Sequence, residues 1–324
     1  MNSDVTPDIV VMGASAGGVQ PLRQVVSAFP AGMEAAVFIA LHTLATAESL
    51  LPELLSRETR IPAVTAQDRS LIEVGKICVA PPDRHLLFHE GALRVTRGPK
   101  ENRHRPSIDV LFRSAAMAYG PRVIGVLLSG ADDDGTAGMM AIKRCGGITI
   151  VQDPAQAEYP EMPSSALRTV QIDFTRPVAE IGPLVQGLVD GKIERRENLP
   201  MSEPVDESLA GDEESPTDVR KLGIPSVFTC PDCNGTLWEL QDGELLRYRC
   251  RVGHAYSAES IIEAENDSVE RSLWEAVKTL EESAQLSRRI AQRTGLLRDE
   301  LMRKAAEREQ HARVIRNLLV DSAA

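Results

Sequence analysis

No apolar run in the sequence approaches the ~18 residues that a membrane-spanning helix needs. The first residues also carry no basic-then-apolar signal pattern. A cytoplasmic location without membrane insertion is therefore expected. Positive charge is scarce: 36 Lys and Arg against 47 Asp and Glu leave a formal net charge of −11. That balance argues against nucleic acid or an anionic membrane as the main partner. Cysteine is sparse too. There are five, three of them close together near the C-terminus, a distribution that suits metal ligands better than a disulfide framework. No internal repeat is evident. What is present is 324 residues, 43% of them hydrophobic, enough for one large domain with a real core and one or two small modules.

The organising stretch is Asp8 to Gly18. Ile9 to Met12 is a continuous, β-branched apolar run and reads as a buried strand. Gly13, Gly17 and Gly18 permit a sharp turn, and Val19 to Phe29 has apolar residues at helical spacing. Strand, glycine turn and helix open a doubly wound α/β domain. The turn exposes Ser15 at the strand's carboxyl end, beside backbone N–H groups of a helix N-terminus. Three readings compete: a plain turn, a phosphate cradle with Ser in place of the second glycine, and a nucleophile elbow of the form G-x-S-x-G. An α/β-hydrolase places several strands before its elbow and its histidine last, so that fold is not expected here.

Further strands are expected at Ala35–Leu41, Pro62–Thr65, Gly75–Pro82, Val123–Leu128 and Ile148–Val151, with a hairpin turning at Glu90-Gly91. Helices are expected at Glu48–Ser56, after an N-cap at Ser107, from Met139 to Gly146, at Ser164–Val170 and at Val178–Val189. Cys78 alternates into the core. His85 and His89 read as surface or hairpin residues. The basic cluster Arg97, Lys100, Arg103 and Arg105 is either a solvated loop or a rim that attracts an acidic substrate. The polar loop from Gln152 to Pro163 is long enough to cover a site at that edge.

Residues 1–190 thus form the first domain. Residues 191–222, rich in acids and poor in apolar side chains, form an expected disordered linker. Residues 223–256 contain Cys230-x-x-Cys233 and Cys250-x-x-x-His254. Three thiolates and an imidazole can close a tetrahedral structural zinc site between ribbon strands at Leu237–Leu240 and Leu246–Arg249. A module of ~30 residues buries too little core to fold unaided, so the metal is expected to stabilise it. Residues 257–324 form a helical hairpin or coiled coil, with Val269, Leu273, Ala276, Leu280 and Ala284 as a stripe and Gly295 as the break. It is expected to pack on itself or on a second copy, giving a homo-oligomer.

Three polar positions sit just beyond three expected parallel strands: Ser15, His42 and one of Asp132, Asp133 and Asp134. Carboxyl ends of such strands meet at one sheet edge. A serine hydroxyl needs a base, His42, and the imidazole needs an orienting carboxylate. The N–H groups near Ala16 and Gly17 can hold a developing oxyanion. The spacing does not choose among the three acids.

Several motifs in order, Gly13-Ala-Ser-Ala-Gly-Gly18, His42, Ala80-Pro-Pro-Asp-Arg-His85, Arg105-Pro-Ser-Ile-Asp-Val-Leu-Phe-Arg-Ser-Ala115, Ser129-Gly130 to Gly135, and Met162-Pro163, resemble the chemotaxis protein-glutamate methylesterases, the CheB family. The resemblance runs from Ile9 to about Val189. It implies Ser15 as nucleophile, His42 as base and Asp134 as orienting acid. It also implies methylated chemoreceptors as substrate, no catalytic cofactor, and glutamine deamidation in some members. A receptor methyltransferase or a separate receiver protein is an implied partner. Two departures stand out. Ala131 and Asp132 replace the family's usual Met and Gly, and the N-terminal receiver domain is not seen. The second reading is a non-catalytic signalling adaptor on a degenerate esterase fold. A dinucleotide-binding protein ranks last, because His42 stands where an acidic residue would be needed.

Overall fold

The computed structural model describes residues 6, 8–46, 49–193, 223–242, 245–293 and 297–321. The chain divides into two units, Met1–Ile261 and Ile262–Ala324. The expected linker falls, from residue 194 onward, outside the described residues, and so does the expected helix break at Gly295.

In the first unit the apolar runs become parallel strands. They are β1 (Ile9–Ala14), β2 (Ala36–Leu41), β3 (Ala63–Thr65), β4 (Ile77–Val79), β7 (Val123–Leu127), β8 (Ile148–Gln152) and β9 (Phe174–Arg176), with the hairpin β5 (His85–His89) and β6 (Ala92–Thr96) outside the main sheet. The sheet order is β3-β4-β2-β1-β7-β8-β9, every pairing parallel. β1 is central because it is apolar on both faces. Val10 and Met12 join one core with α1 (Val19–Ser27), α2 (Leu51–Glu58) and α6 (Val178–Val189). Ile9 and Val11 join the other with α3 (Ile108–Tyr119), α4 (Thr136–Arg144) and α5 (Glu161–Thr169). Continuous burial of both faces is what hydrophobic, non-alternating strands predict. α2 starts later than the expected Glu48, with Pro52 in its first turn, where a missing N–H costs nothing. β9, with one buried apolar residue in three, was too short to read from the pattern.

A second sheet belongs to the same unit. β10 (Ile224–Thr229), β11 (Thr236–Asp242), β12 (Leu245–Cys250) and β13 (Ala255–Ser257) run antiparallel in that order. The two expected ribbon strands are therefore four. The outer two lack a clear alternation, and β10 is mostly exposed.

The second unit is an antiparallel helical hairpin of α7 (Ala258–Arg293), whose first four residues belong to the first unit, and α8 (Arg298–Asp321). The ion pairs Arg316–Glu281 and Arg288–Glu309 keep a constant sum of positions, which fixes the antiparallel sense. Its seam keeps most of the expected stripe: Ala284 is buried and Leu273, Ala276 and Leu280 are half-buried, but Val269 is exposed, and Val277, Ala291, Ala305 and Ala312 complete a buried line seven residues apart on each helix. Small residues every seventh position let two helices approach closely. Among the described residues no helix is long and apolar enough to cross a membrane.

Candidate active site

Ser15, His42 and the loop after β7 emerge at the carboxyl edge, around β1, where the strand order reverses. Pairing continues past the strand ends and sets the positions: Ser15 N–H donates to Ser129 O (3.0 Å) and His42 N–H to Ala14 O (3.1 Å). The turn at Ser15 is tightly enclosed. Gly17 has φ +67°, and a Cβ there would lie 2.9 Å from both Glu158 and Tyr159. A Cβ at Gly130 would press on Met162 and reach Ser15 Cβ at 2.8 Å. The loop between β8 and α5, through Tyr159, also receives Gly130 N–H (3.0 Å). It borders the site.

Ser15 Oγ lies 3.0 Å from His42 Nδ1, and His42 Nε2 lies 2.8 Å from Asp134 Oδ2. An ionised carboxylate only accepts, so the Nε2–H donates to Asp134 and the Nδ1 lone pair faces the hydroxyl. Burial pulls the His42 pKa below its ordinary 6.5, and the neighbouring His104 pulls the same way against Asp134. His104 stacks on His42 with ring centroids 3.6 Å apart.

The loop separates the three acids that spacing left equal and among which the resemblance pointed to Asp134. Asp132 has φ +67°, the conformation a glycine would favour, and turns to His104 Nε2 at 3.5 Å. Asp133 Oδ1 accepts from Ser257 Oγ (2.9 Å), and its carboxyl is pushed up to about 7, mainly by burial. Asp134 alone reaches His42. It is fully buried and accepts five hydrogen bonds: Oδ2 from His42 and Ile108 N–H (2.7 Å), Oδ1 from Asn102 Nδ2 (3.0 Å), Ser107 Oγ (3.0 Å) and Asp109 N–H (3.2 Å). Burial alone would raise its pKa. The bond and charge of His42, the charge of His104 and the Asn102 bond outweigh this and hold it well below the carboxylate range. The start of α3 thus serves as an anion-binding N-terminus.

Asp109 is the second buried carboxyl here. Oδ1 accepts from Gly135 and Gly138 N–H (3.0 and 2.6 Å) and caps α4, and Oδ2 accepts from Asn102 (2.9 Å). Burial first and the Asp134 charge second push its pKa up. Of the candidate oxyanion donors, the amides of Ala16 and Gly17 have no hydrogen-bond partner among the described residues.

Asn102, His104 and Asp109 escaped the sequence reading. Asn102 and Asp109 act through long-range contacts that leave no local pattern. Ser107 was read only as a helix cap, which it is, accepting from Val110 N–H. His85 stands on the hairpin as expected but not at the surface. It is 1% exposed, with Nε2 2.9 Å from Pro99 O and Nδ1 accepting from Ser107 N–H. In the basic cluster, Arg97 and Arg105 both turn to Asp83, whose single carboxylate offsets one of their two charges.

The second candidate site lies in the ribbon. The ligand atoms of Cys230, Cys233, Cys250 and His254 all lie within 4.8 Å of one another. Cys233 Sγ–Cys250 Sγ is 3.7 Å, and His254 Nδ1 is 3.6 and 3.5 Å from Cys230 and Cys250 Sγ. A tetrahedron with metal–sulfur bonds of about 2.3 Å has edges of about 3.8 Å, so the cluster is sized for one ion. None of the five cysteines forms a disulfide.

Fold and geometry define a class: a doubly wound α/β protein with a hydroxyl, an imidazole and a carboxylate in series at the strand switch point. A family profile described as CheB methylesterase matches residues 10–185, and the chain belongs to the CheB methylesterase family. A Leptospira interrogans protein named "Putative protein-glutamate methylesterase/protein-glutamine glutaminase" is 33% identical over 190 residues, 58% of this chain and 98% of its own length. A Methanosarcina mazei protein-glutamate methylesterase/protein-glutamine glutaminase is also 33% identical, but the match spans 52% of its length. The Thermotoga maritima CheB methylesterase catalytic domain superposes with a TM-score of 0.55 at 28% identity, covering 57% of this chain and all of that one.

Proposed function

We propose that this protein hydrolyses γ-glutamyl methyl esters on a methylated chemoreceptor or related signalling protein, and deamidates glutamines there, with Ser15 as nucleophile, His42 as general base and Asp134 as its orienting acid. What carries this reading is the unbroken chain from Ser15 Oγ through His42 to Asp134, at 3.0 and 2.8 Å, in a member of this family. His42 Nδ1 takes the Ser15 proton as Oγ attacks the ester carbonyl carbon. The oxyanion forms beside the Ala16 and Gly17 amides. The imidazolium, its Nε2–H held by Asp134, gives the Nδ1 proton to the departing methoxide, and methanol leaves. Water then loses a proton to His42 and attacks the acyl carbon. Glutamate is released, and Oγ recovers its proton. Asp134 stays ionised throughout. With a glutamine, ammonia leaves instead.

Full-length protein incubated with methyl-labelled receptor should release labelled methanol, and a serine-directed phosphonate should block release by modifying Ser15. Intact binding to the receptor with neither release nor labelling would replace this reading with the adaptor.

The acid limb of the kcat/KM profile should report His42. Only neutral imidazole can accept the Ser15 proton, and the His42 pKa lies below 6.5. Activity should therefore remain above half its plateau at pH 6.5 and fall only at lower pH, as measured by methanol release.

We further read the Cys230–Cys233–Cys250–His254 cluster as a structural zinc site, since four protein ligands leave no open position. Purified protein should carry about one zinc per chain. Cys250→Ala should abolish it and melt the ribbon, because structural zinc contributes about 10–16 kcal/mol in comparable small modules. Metal analysis and hydrogen exchange over residues 224–257 would check both.

A further inference from the structure

The family match ends at residue 185, yet the ribbon reaches the acid of the proposed triad. Ala255 on β13 pairs with the loop before α3: Asn102 N–H donates to Ala255 O (2.8 Å), and Glu101 forms an isolated parallel bridge with Ala255. Glu101, 2% exposed, accepts from Arg247 of β12 (2.7 Å) and Arg113 of α3 (2.7 Å). Asn102 and Arg103 both adopt left-handed backbone, with φ +48° and +69°. Such a loop persists only where its surroundings hold it.

The Asn102 side chain spans the junction. Its Nδ2 donates to Asp134 Oδ1 (3.0 Å) and Asp109 Oδ2 (2.9 Å). Its Oδ1 accepts from Ser257 N–H (3.0 Å) and Ser260 Oγ (3.3 Å). A backbone N–H can only donate, so Ser257 fixes which end of the amide faces the ribbon. The NH₂ end must then face the two carboxyl groups. Released from Ser257, the amide could turn and set a carbonyl oxygen against Asp134, losing a hydrogen bond and adding repulsion. Asn102 is 2% exposed, so water cannot easily substitute.

We propose that the ribbon is a positioning element of the esterase: Ser257, through Asn102, holds Asp134 in the geometry that orients His42. The inference rests on the triad reading and deepens it. Asn102 and Ser257 are positioning residues: both are buried, and they act through Asp134 rather than on the reacting atoms. The active constellation is thus completed by a module that lies outside the family's catalytic domain.

The test uses full-length protein and two readouts, receptor demethylation and the rate at which a small fluorophosphonate labels Ser15. Asn102→Ala should lower kcat and the labelling rate about tenfold, the scale of one hydrogen bond to a charged group, with KM unchanged. Without that donor Asp134 becomes more basic, so the acid limb set by His42 should move upward. Arg247→Met, which lies on the ribbon and does not touch the triad, should slow labelling about threefold to tenfold, and Arg247→Lys should restore it. The double variant Asn102→Ala/Arg247→Met should be no slower than Asn102→Ala alone, as coupling through one residue requires. Circular dichroism checks the fold. Should Arg247→Met not fold, Ser260→Ala, which deletes one hydroxyl on Asn102, should give a smaller loss that vanishes in the Asn102→Ala background. Wild-type labelling rates in Arg247→Met or Ser260→Ala, or effects that multiply with Asn102→Ala, would overturn the proposal while leaving the triad intact. Wild-type protein that fails to label at all would overturn both.

Discussion

Alanine at position 15 is expected to lower methanol release by a factor on the order of 10⁴–10⁶, the cost of removing a nucleophile from a triad that acts as a unit. The variant should fold and bind receptor as before. Ser15 is held by its backbone, through the Ser129 and Gly18 bonds. Its hydroxyl touches only His42 among the described side chains, and Ala is smaller, so nothing clashes. The loss should appear in kcat with KM little changed, because Oγ matters for covalent chemistry rather than docking. A residual rate well above buffer would reflect the oxyanion amides alone. Retention of more than a tenth of wild-type kcat would remove Ser15 from the mechanism.

Asparagine at position 134 is expected to cost about 10⁴ in kcat, through the tautomer of His42 rather than through lost shape. The carboxamide must place its NH₂ in one of two spots. In the Oδ1 place it would face two fixed donors, Asn102 Nδ2 and the Asp109 N–H. In the Oδ2 place it would face one, the Ile108 N–H. Each opposed buried donor costs about 1–3 kcal/mol, so the second placement wins. There the NH₂ donates to His42 Nε2, and the imidazole proton moves to Nδ1. Nδ1–H then points at Ser15 and cannot act as its base. The same variant should lose a few kcal/mol of stability, read from thermal unfolding. Near-wild-type kcat with a lowered melting temperature would make Asp134 a structural residue only.

Much of this was legible in the sequence. The strand at Ile9, the turn at Ser15, the strand ending at His42 and the helix at Val178–Val189 follow from short apolar runs and their punctuation. The Cys-x-x-Cys and Cys-x-x-x-His spacings announced the Cys230, Cys233, Cys250 and His254 cluster, because each pair comes from one tight turn. The seam of the terminal hairpin was less readable. Ala284 and the half-buried Leu273 and Leu280 follow from the period, but Val277 and Ala291, which share the buried line with Ala284, did not stand out among the many alanines and charges of the helix. His85 shows the opposite error. A histidine on a hairpin suggests solvent, yet a neutral imidazole can be buried when a carbonyl and an N–H meet its two nitrogens.

By itself the sequence determined the order of the elements, the residue at each strand end and the Cys and His pairs of the ribbon, since each depends on neighbours within a few positions. Spacing alone could not choose Asp134 over Asp132 and Asp133, where only the motif resemblance pointed, nor set which imidazole nitrogen faces Ser15, nor connect Asn102 to Ser257. Those outcomes were decided where segments 92 and 155 positions apart meet. At such junctions the number of donors and acceptors, and the direction each points, is a property of the folded molecule and leaves no period in the chain.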